Sequence, residues 1–286
     1  MVLKAKKIGV IGLGIMGGGI TSNFLKKGYP VYVWNRTKTV SQDYAKRGAV
    51  VCNSPREVSK QIDIIFEVTA NDKSSKSVWL GKRGILQGAD KNKILITNAT
   101  LSVDWVDQLA QKCKSLGYTF FDMPMTGGRV GAETGTLTLL CGGDEKILKK
   151  MTPVLKAIAK KITYFGPAGH GMRYKLILNF LQAVHMIGFG QAMKIAKENK
   201  MDLKKVGDAL VDRPGGITTT LSWRDYQKEP NPINFSIEWI TKDLGYAKKF
   251  ARKIKVPLLD QVLKIYKMAV KKGYAKKDWA SINTLR

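Results

Sequence analysis

The stretch from Lys7 to Thr37 reads KIGVIGLGIMGGGITSNFLKKGYPVYVWNRT and decides the fold of this chain. Two apolar runs, Ile8–Ile11 and Val31–Trp34, predict buried strands, and the segment between them predicts a helix. The first run ends in a GxGxxG turn, which lets the backbone bend tightly and approach a pyrophosphate at the helix N-terminus. The stretch therefore predicts a dinucleotide-binding strand-helix-strand unit.

The residues of this unit that we predict to contact the cofactor lie at the ends of the two strands. The first set is the glycine turn, Gly12, Leu13, Gly14, Ile15, Met16 and Gly17. The second set is Asn35, Arg36 and Thr37, where NAD-preferring folds usually carry an acidic residue for the ribose 2′-hydroxyl. Because Arg36 can pair with a 2′-phosphate instead, we expect NADP, with NAD as the alternative. A solvated Arg36 would weaken this preference.

Length and composition limit the number of domains, the partners and the location that we expect for this protein. The 286 residues exceed what one hydrophobic core usually organises, so we expect two domains. Lys and Arg number 49 against 22 Asp and Glu, a net charge of +27 that attracts polyanions. These cations are spread along the chain in short pairs, as on helix surfaces, and we predict no specific nucleic-acid partner. The apolar runs also look too short for a membrane span, so we expect a cytoplasmic protein that binds no membrane.

The three cysteines, Cys52, Cys113 and Cys141, have neither CxxC nor Cys/His spacing. This pattern indicates buried thiols without a disulfide framework or a metal site.

Strand and helix patterns alternate through the first half of the chain and then give way to helices alone. This order predicts an α/β fold, a doubly wound, mostly parallel Rossmann sheet over residues 1–166, followed by an all-α domain over residues 167–286. The candidate strands are Ile8–Ile11, Val31–Trp34, Ile62–Val68, Lys93–Thr97, Tyr118–Asp122, Thr136–Cys141 and Ile162–Tyr164. The candidate helices of the second half are Met172–Asn199, Leu203–Val211, Ile237–Lys253 and Pro257–Lys272.

Two further segments carry candidate chemistry. Lys175 and Asn179 are four residues apart on a predicted helix, so an ammonium and an amide share one face and can point at one substrate oxygen. Solvated lysines on helices are common, and spacing alone leaves that alternative open. The segment Asp122–Ala132 contains Thr126, Gly127 and Gly128, whose hydroxyl and N–H groups can bind a carboxylate. A plain flexible turn is the alternative for this segment.

These motifs together resemble the β-hydroxyacid dehydrogenase family over almost the whole chain. Four signatures stand in order: the glycine turn, the loop Pro124–Gly128 continuing to Gly135-Thr136-Leu137, the GxGxxxKxxxN stretch Gly169–Asn179, and Lys242-Asp243-Leu244. The resemblance implies a 6-phosphogluconate dehydrogenase-like fold and a homodimer or homotetramer. It also implies hydride transfer between the cofactor and a small carboxylate-bearing substrate.

The same resemblance assigns roles to individual residues. It implies that Lys175 is the catalytic general acid/base, that Asn179 holds the substrate and that Lys242 reaches the cofactor. Thr126, Gly127 and Gly128 would grip the substrate carboxylate. The residues that would line the nicotinamide and ribose are Val68, Thr69, Ala70, Asn71 and Thr100.

Two alternatives in function remain at this point. Imine reductases resemble this family in fold and cofactor but usually lack lysine at the catalytic position, so Lys175 favours reduction of C=O over C=N. A noncatalytic, nucleic-acid-associated protein that retains the dehydrogenase fold is the second alternative, since a fold does not determine function.

Arg129 directly follows the glycine pair Gly127-Gly128. It could bind a second anionic group of the substrate or lie on the surface.

Overall fold

The computed structural model describes residues 6–212, 217–252 and 254–285. The chain forms two compact units, Met1–Lys175 and Leu176–Arg286. The division falls inside the long helix that begins at His170, so it lies later in the chain than the boundary predicted after residue 166.

A single nine-stranded sheet organises the first unit. Its strands are β1 (Ile8–Ile11), β2 (Val31–Trp34), β3 (Val50–Val51), β4 (Ile64–Glu67), β5 (Ile94–Thr97), β6 (Thr119–Asp122), β7 (Met125–Thr126), β8 (Leu137–Gly142) and β9 (Ala159–Gly166). The order is β3-β2-β1-β4-β5-β6-β8-β7, with β9 paired to β8. Strands β1 to β6 pair in parallel, which confirms the predicted doubly wound sheet, whereas β8 runs antiparallel to β6 and β7.

Helices cover the sheet of the first unit on both faces. They are α1 (Ile15–Lys26), α2 (Lys38–Ala45), α3 (Pro55–Gln61), α4 (Asp72–Leu80), α5 (Val103–Ser115), α6 (Gly128–Thr134) and α7 (Glu145–Leu155). Ile8 and Val10 of β1 pack into one apolar layer and Ile11 into the other, as period-two side-chain alternation requires. Both faces of the central strands are therefore buried, which explains their continuous apolar sequences.

The structure differs from the predicted elements where polar or glycine residues interrupt the apolar pattern. Strand β9 extends well beyond the predicted Ile162–Tyr164 because Ala159, Lys161 and Gly166 also pair with β8, and backbone pairing does not require an apolar side chain. The glycine-rich segment after Asp122 is ordered as β7 and α6, so it is not a plain flexible turn. Strand β3 was not predicted, since two exposed valines carry no periodicity.

Among its described residues the second unit is helical, apart from one isolated antiparallel β-bridge between Ser236 and Asp278. Its helices are most of α8 (His170–Glu198), then α9 (Leu203–Asp212), α10 (Ile217–Gln227), α11 (Ile237–Ala251) and α12 (Pro257–Lys271), with a short 3₁₀ helix at Trp279–Asn283. Phe189, Met193 and Trp223 form one of its apolar clusters. Helix α10 was not predicted, and the other four match the predicted helices to within two residues at each end.

Helix α8 is long and apolar enough to cross a membrane by length and composition, although the sequence indicated no such run. Of its most apolar window, 44% is buried inside the protein, and core helices of soluble proteins meet the same criterion. The helix also carries Lys175 and Asn179 as buried polar residues, and ionisable residues are rare in membrane-spanning segments.

The three cysteines are free and buried, as their spacing indicated. Burial raises the pKa of Cys52 to about 11 and the pKa values of Cys113 and Cys141 to about 12. These thiols are therefore protonated and unreactive near neutral pH.

Candidate active site

The glycine turn lies at the carboxyl end of β1, and its glycines serve different purposes. Gly12 has φ +95°, and a Cβ there would lie 2.5 Å from the Val68 carbonyl oxygen. A Cβ on Gly17 would lie 1.9 Å from the Gly12 carbonyl oxygen, so this glycine lets α1 pack against the turn. A Cβ on Gly14, the N-cap residue that directly precedes α1, would meet nothing within 4 Å. The backbone is thus open at this helix end, as binding of a pyrophosphate requires.

The end of β2 is joined to the glycine turn by a side-chain amide. Asn35 Oδ1 accepts the Leu13 N–H at 3.0 Å, and its Nδ2 donates to the Thr37 carbonyl oxygen at 3.0 Å. Asn35 therefore holds the two loops in register. Arg36 and Thr37 are exposed beside it, which leaves the guanidinium and the hydroxyl facing solvent at the carboxyl edge of the sheet.

Two further loops at the same sheet edge contain the residues predicted to line the nicotinamide. Val68 directly follows β4, and its N–H donates to the Ile11 carbonyl oxygen at 2.8 Å, next to the glycine turn. Asn71 caps α4 by accepting the Ser74 N–H at 3.0 Å. The Asp72 carboxylate accepts the N–H and the hydroxyl of Ser102, at 2.9 and 2.5 Å. This pair joins the Val68–Asn71 loop to the segment that carries Thr100.

The predicted substrate loop combines a strand residue with two unusual glycines. Thr126 ends β7 and is half-buried, and Gly127 and Gly128 have φ values of +120° and +59°. Residues with a side chain rarely adopt such φ angles, so the sharp turn into α6 requires glycine. Helix α6 packs on α1, where Asn23 Nδ2 donates to the Ala132 carbonyl oxygen at 2.7 Å.

The N-terminal turn of α8 is held by a buried carboxylate. Asp122, the last residue of β6, accepts the backbone N–H groups of Gly169 and Met172 at 2.5 and 2.6 Å. A Cβ on Gly171 would lie 2.1 Å from the Leu140 carbonyl oxygen, so the helix touches the sheet backbone here. Burial raises the pKa of Asp122 to about 7, although the two N–H groups oppose this shift. Because position 171 is a glycine, the first turn of the helix that carries Lys175 can lie directly against the sheet.

Lys175 and Asn179 lie one helical turn apart on α8, and both are buried. Lysine is almost never fully buried in proteins without a partner or a function. A lysine that is only 9% exposed is therefore unlike the solvated lysines on the outer faces of the other helices.

Asp243, within the Lys242-Asp243-Leu244 motif on α11, binds two of the predicted site residues. Asn179 Nδ2 donates to Asp243 Oδ2 at 2.6 Å, and Lys242 Nζ lies 2.8 Å from Asp243 Oδ1. The buried Asp243 carboxylate thus connects the Lys242 ammonium on α11 with the Asn179 amide on α8. Lys242 also lies over the Tyr246 ring, 5.2 Å from its centroid. Its predicted contact with the cofactor stays a prediction.

Arg129 lies beside the cofactor turn. It lines a cavity of about 470 Å³ whose other walls include Gly14, Gly18 of α1 and Arg47 after α2. Arg129 Nη1 is 3.4 Å from Glu133 Oε1, a weak surface ion pair.

Sequence reasoning missed three buried carboxylates at this site: Glu67, Asp122 and Asp243. Each had a signal in the sequence. Glu67 and Asp122 end apolar strands, where a charge needs a partner, and Asp243 stands inside a motif of which only the lysine was assigned. Apart from Lys242 and Thr69, their partners lie 8 to 64 residues away in the chain, so the sequence could not show what they bind.

The chain matches two protein families over nearly its full length. Residues 7–166 match the NAD binding domain of 6-phosphogluconate dehydrogenase. Residues 169–285 match the family described as NAD-binding of NADP-dependent 3-hydroxyisobutyrate dehydrogenase.

Individual relatives agree with these families. The mitochondrial 3-hydroxyisobutyrate dehydrogenase of Mus musculus is 30% identical over 290 residues, which cover 96% of this chain and 85% of the mouse protein. The structure of Mycobacterium tuberculosis 3-hydroxyisobutyrate dehydrogenase with L-serine is similar with a TM-score of 0.86 at 25% identity, covering 98% of both chains. An imine reductase from Myxococcus stipitatus in complex with NADP+ shares the fold, with a TM-score of 0.66 at 22% identity over 97% of this chain and 99% of that one. The chain therefore belongs to the β-hydroxyacid dehydrogenase family and is an oxidoreductase with a domain that binds a nicotinamide cofactor.

Proposed function

We propose that this protein transfers a hydride reversibly between NADP(H) and a small β-hydroxyacid or its semialdehyde, such as 3-hydroxyisobutyrate, with Lys175 as general acid/base. The observation that carries this proposal is the burial of Lys175 on α8, in the GxGxxxKxxxN motif whose first turn is held by Asp122. A buried ammonium on a helix fixed at its N-terminus is held ready to exchange a proton at one position.

The bound nicotinamide would supply or accept the hydride at the substrate carbon that bears the oxygen. In alcohol oxidation, the neutral Lys175 amine takes the hydroxyl proton, and in carbonyl reduction the ammonium returns it to the developing alkoxide. Thr126 and the N–H groups of Gly127 and Gly128 would hold the substrate carboxylate. Asn179, held by Asp243, would orient the substrate oxygen toward Lys175.

The preference for NADP over NAD rests on the end of β2. Arg36 is exposed there between Asn35 and Thr37, neither of which carries a carboxylate, and the Asn35 side-chain amide donates to the Thr37 carbonyl oxygen. A guanidinium forms bidentate charge-assisted hydrogen bonds with a phosphate, each stronger than a neutral bond. We expect Arg36→Ala to raise the KM for NADPH roughly tenfold or more and to leave the KM for NADH nearly unchanged.

A steady-state screen tests the proposal. NADPH or NADH absorbance is followed with glyoxylate, succinic semialdehyde, methylmalonate semialdehyde and tartronate semialdehyde. Wild-type turnover is expected with NADPH, and Lys175→Ala is expected to lose roughly 10²- to 10⁴-fold in kcat while binding NADPH as before. Lys194→Ala is the matched control, because this lysine lies on the same helix and is exposed.

The outcomes separate the candidate reactions. Unchanged turnover in Lys175→Ala would refute the catalytic assignment. Turnover with a cyclic imine, and with none of the aldehydes, would favour an imine reductase, whose fold this chain shares. Absence of turnover together with tight, steeply salt-dependent binding of nucleic acid would favour the noncatalytic alternative.

A further inference from the structure

Glu67 is a fully buried carboxylate at the carboxyl end of β4, next to the predicted nicotinamide loop. Its exposed fraction is 0%, and in the parallel register it stands directly opposite Thr97 of β5. Glutamate is almost never fully buried unless its oxygens are satisfied. The role of Glu67 can therefore be inferred from its hydrogen-bond partners.

The two carboxylate oxygens of Glu67 bind different parts of the first unit. Oε1 accepts the Thr69 N–H at 3.0 Å and, in a short contact, the Thr69 hydroxyl. Oε2 accepts the Thr97 hydroxyl at 2.5 Å, the Trp79 Nε1–H at 3.2 Å and the Ser75 hydroxyl at 3.5 Å. One side chain thus joins the loop after β4, the end of β5 and the buried face of α4.

The network continues from α4 to the second predicted nicotinamide segment. Trp105 Nε1 of α5 donates to Ser75 Oγ at 3.0 Å, and Asp72 binds Ser102. The loop that follows β4 and the segment that carries Thr100 are therefore attached to the same buried polar cluster, and Glu67 lies at its centre.

We propose that Glu67 is a positioning residue for cofactor binding: its carboxylate fixes Thr69, and with it the Val68–Asn71 loop, in the shape that receives the nicotinamide. This inference rests on the proposed role of that loop at the cofactor. Glu67 acts through Thr69, because its own oxygens are buried and already bound.

Glu67→Gln tests this geometry with almost no change in volume. In one amide orientation the new NH₂ group faces the Thr69 N–H, and in the other it faces the Trp79 Nε1–H. Both partners are fixed N–H donors that cannot rotate to accept, so either orientation places donor against donor. Leaving such a buried donor unsatisfied destabilises the arrangement, and we expect roughly tenfold weaker NADPH binding.

The matched control is Glu57→Gln on α3. Glu57 Oε2 accepts the Asn53 N–H at 2.8 Å, so the same substitution neutralises a hydrogen-bonded carboxylate that does not touch the cofactor loop. NADPH dissociation constants are measured by fluorescence titration, and folding is checked by thermal denaturation. Hydrogen exchange of the Thr69 amide is followed in the protein without cofactor.

The proposal expects Glu67→Gln to weaken NADPH binding, raise the KM for NADPH more than it lowers kcat, and speed Thr69 exchange at least about tenfold. Glu57→Gln should change none of these. A folded Glu67→Gln protein with wild-type exchange at Thr69 and wild-type NADPH affinity would overturn it. Failure of the wild-type protein to bind NADPH would refute the proposed cofactor instead, while the exchange experiment would still decide whether Glu67 fixes the loop.

Thr69→Val is the second variant, in case Glu67→Gln does not fold. It removes the hydroxyl contact with Glu67 and keeps both the branched shape and the Thr69 backbone bond. We expect a smaller loss of NADPH affinity in the same direction, and unchanged affinity together with unchanged exchange in the loop would also overturn the proposal.

Discussion

Alanine at Gly17 should weaken both stability and cofactor binding, whereas alanine at Gly14 of the same turn should weaken cofactor binding alone. At Gly17 the new Cβ would lie 1.9 Å from the Gly12 carbonyl oxygen. A carbon–oxygen contact ordinarily lies at about 3.3 Å, so α1 must move by more than about 1 Å. Overpacking of this kind costs about 1–3 kcal/mol, and the partner is backbone that cannot rotate away, so the upper half of this range applies.

The helix propensity of alanine returns up to about 1 kcal/mol, because Gly17 lies inside α1. The net loss in the free energy of unfolding is then about 1–2 kcal/mol. For a protein of this size, such a loss lowers Tm by roughly 2–8 °C. Displacement of α1 also moves the N–H groups at its start, so NADPH binding should weaken together with stability.

At Gly14 the same substitution meets empty space. No atom lies within 4 Å of the new Cβ, and the backbone angles, φ −66° and ψ −166°, are allowed for alanine. We expect the free energy of unfolding to stay within about 0.5 kcal/mol of the wild-type value. If a pyrophosphate approaches this backbone, the methyl group obstructs it, and the dissociation constant for NADPH should rise roughly tenfold or more.

Thermal denaturation and NADPH fluorescence titration of both variants, side by side with the wild-type protein, test the predicted changes in stability and in cofactor binding. A Gly17→Ala protein with wild-type Tm would refute the packing argument. A Gly14→Ala protein that binds NADPH as tightly as the wild-type would show that the open backbone at this helix end does not receive the pyrophosphate.

Three further predictions concern buried or capping groups. Burial raises the pKa of Asp122 from 3.8 to about 7, so its neutral form is favoured in the folded state. The resulting stability is fully present below about pH 4 and is lost as pH rises through 7, by up to about 4 kcal/mol. In urea denaturation, the stability deficit of Asp122→Asn relative to wild-type should therefore be larger near pH 5 than near pH 8, and a deficit that grows with pH would contradict this. Cys52, Cys113 and Cys141 should not react with Ellman's reagent in the native protein near pH 8 and should all react in denaturant, because burial raises their thiol pKa values. Ser54→Ala should cost about 1 kcal/mol, measured by urea denaturation, because Ser54 Oγ accepts the Glu57 N–H at the start of α3, and an unchanged midpoint would argue against the cap.

Local features were the ones that sequence reasoning predicted well. The strands β1 and β2 and the glycine turn follow from residues adjacent in the chain, since backbone angles and apolar periodicity are local properties. Helix α8 and its Lys175–Asn179 spacing follow from the same kind of pattern. Strand β7 and helix α6 were not predicted, because a glycine-rich sequence is typical of a loop and the pairing of β7 with β8 is not visible in the sequence.

The sequence by itself determined the doubly wound sheet, the open glycine turn at its edge and the residue types needed for chemistry, because each rests on local spacing. Only the tertiary structure decided which buried carboxylate holds which part of the site. Asp122 meets Gly169 across 47 residues, and Glu67 meets Thr97 across 30. A buried charge is stable only with partners, and those partners come together only when separate strands and helices pack.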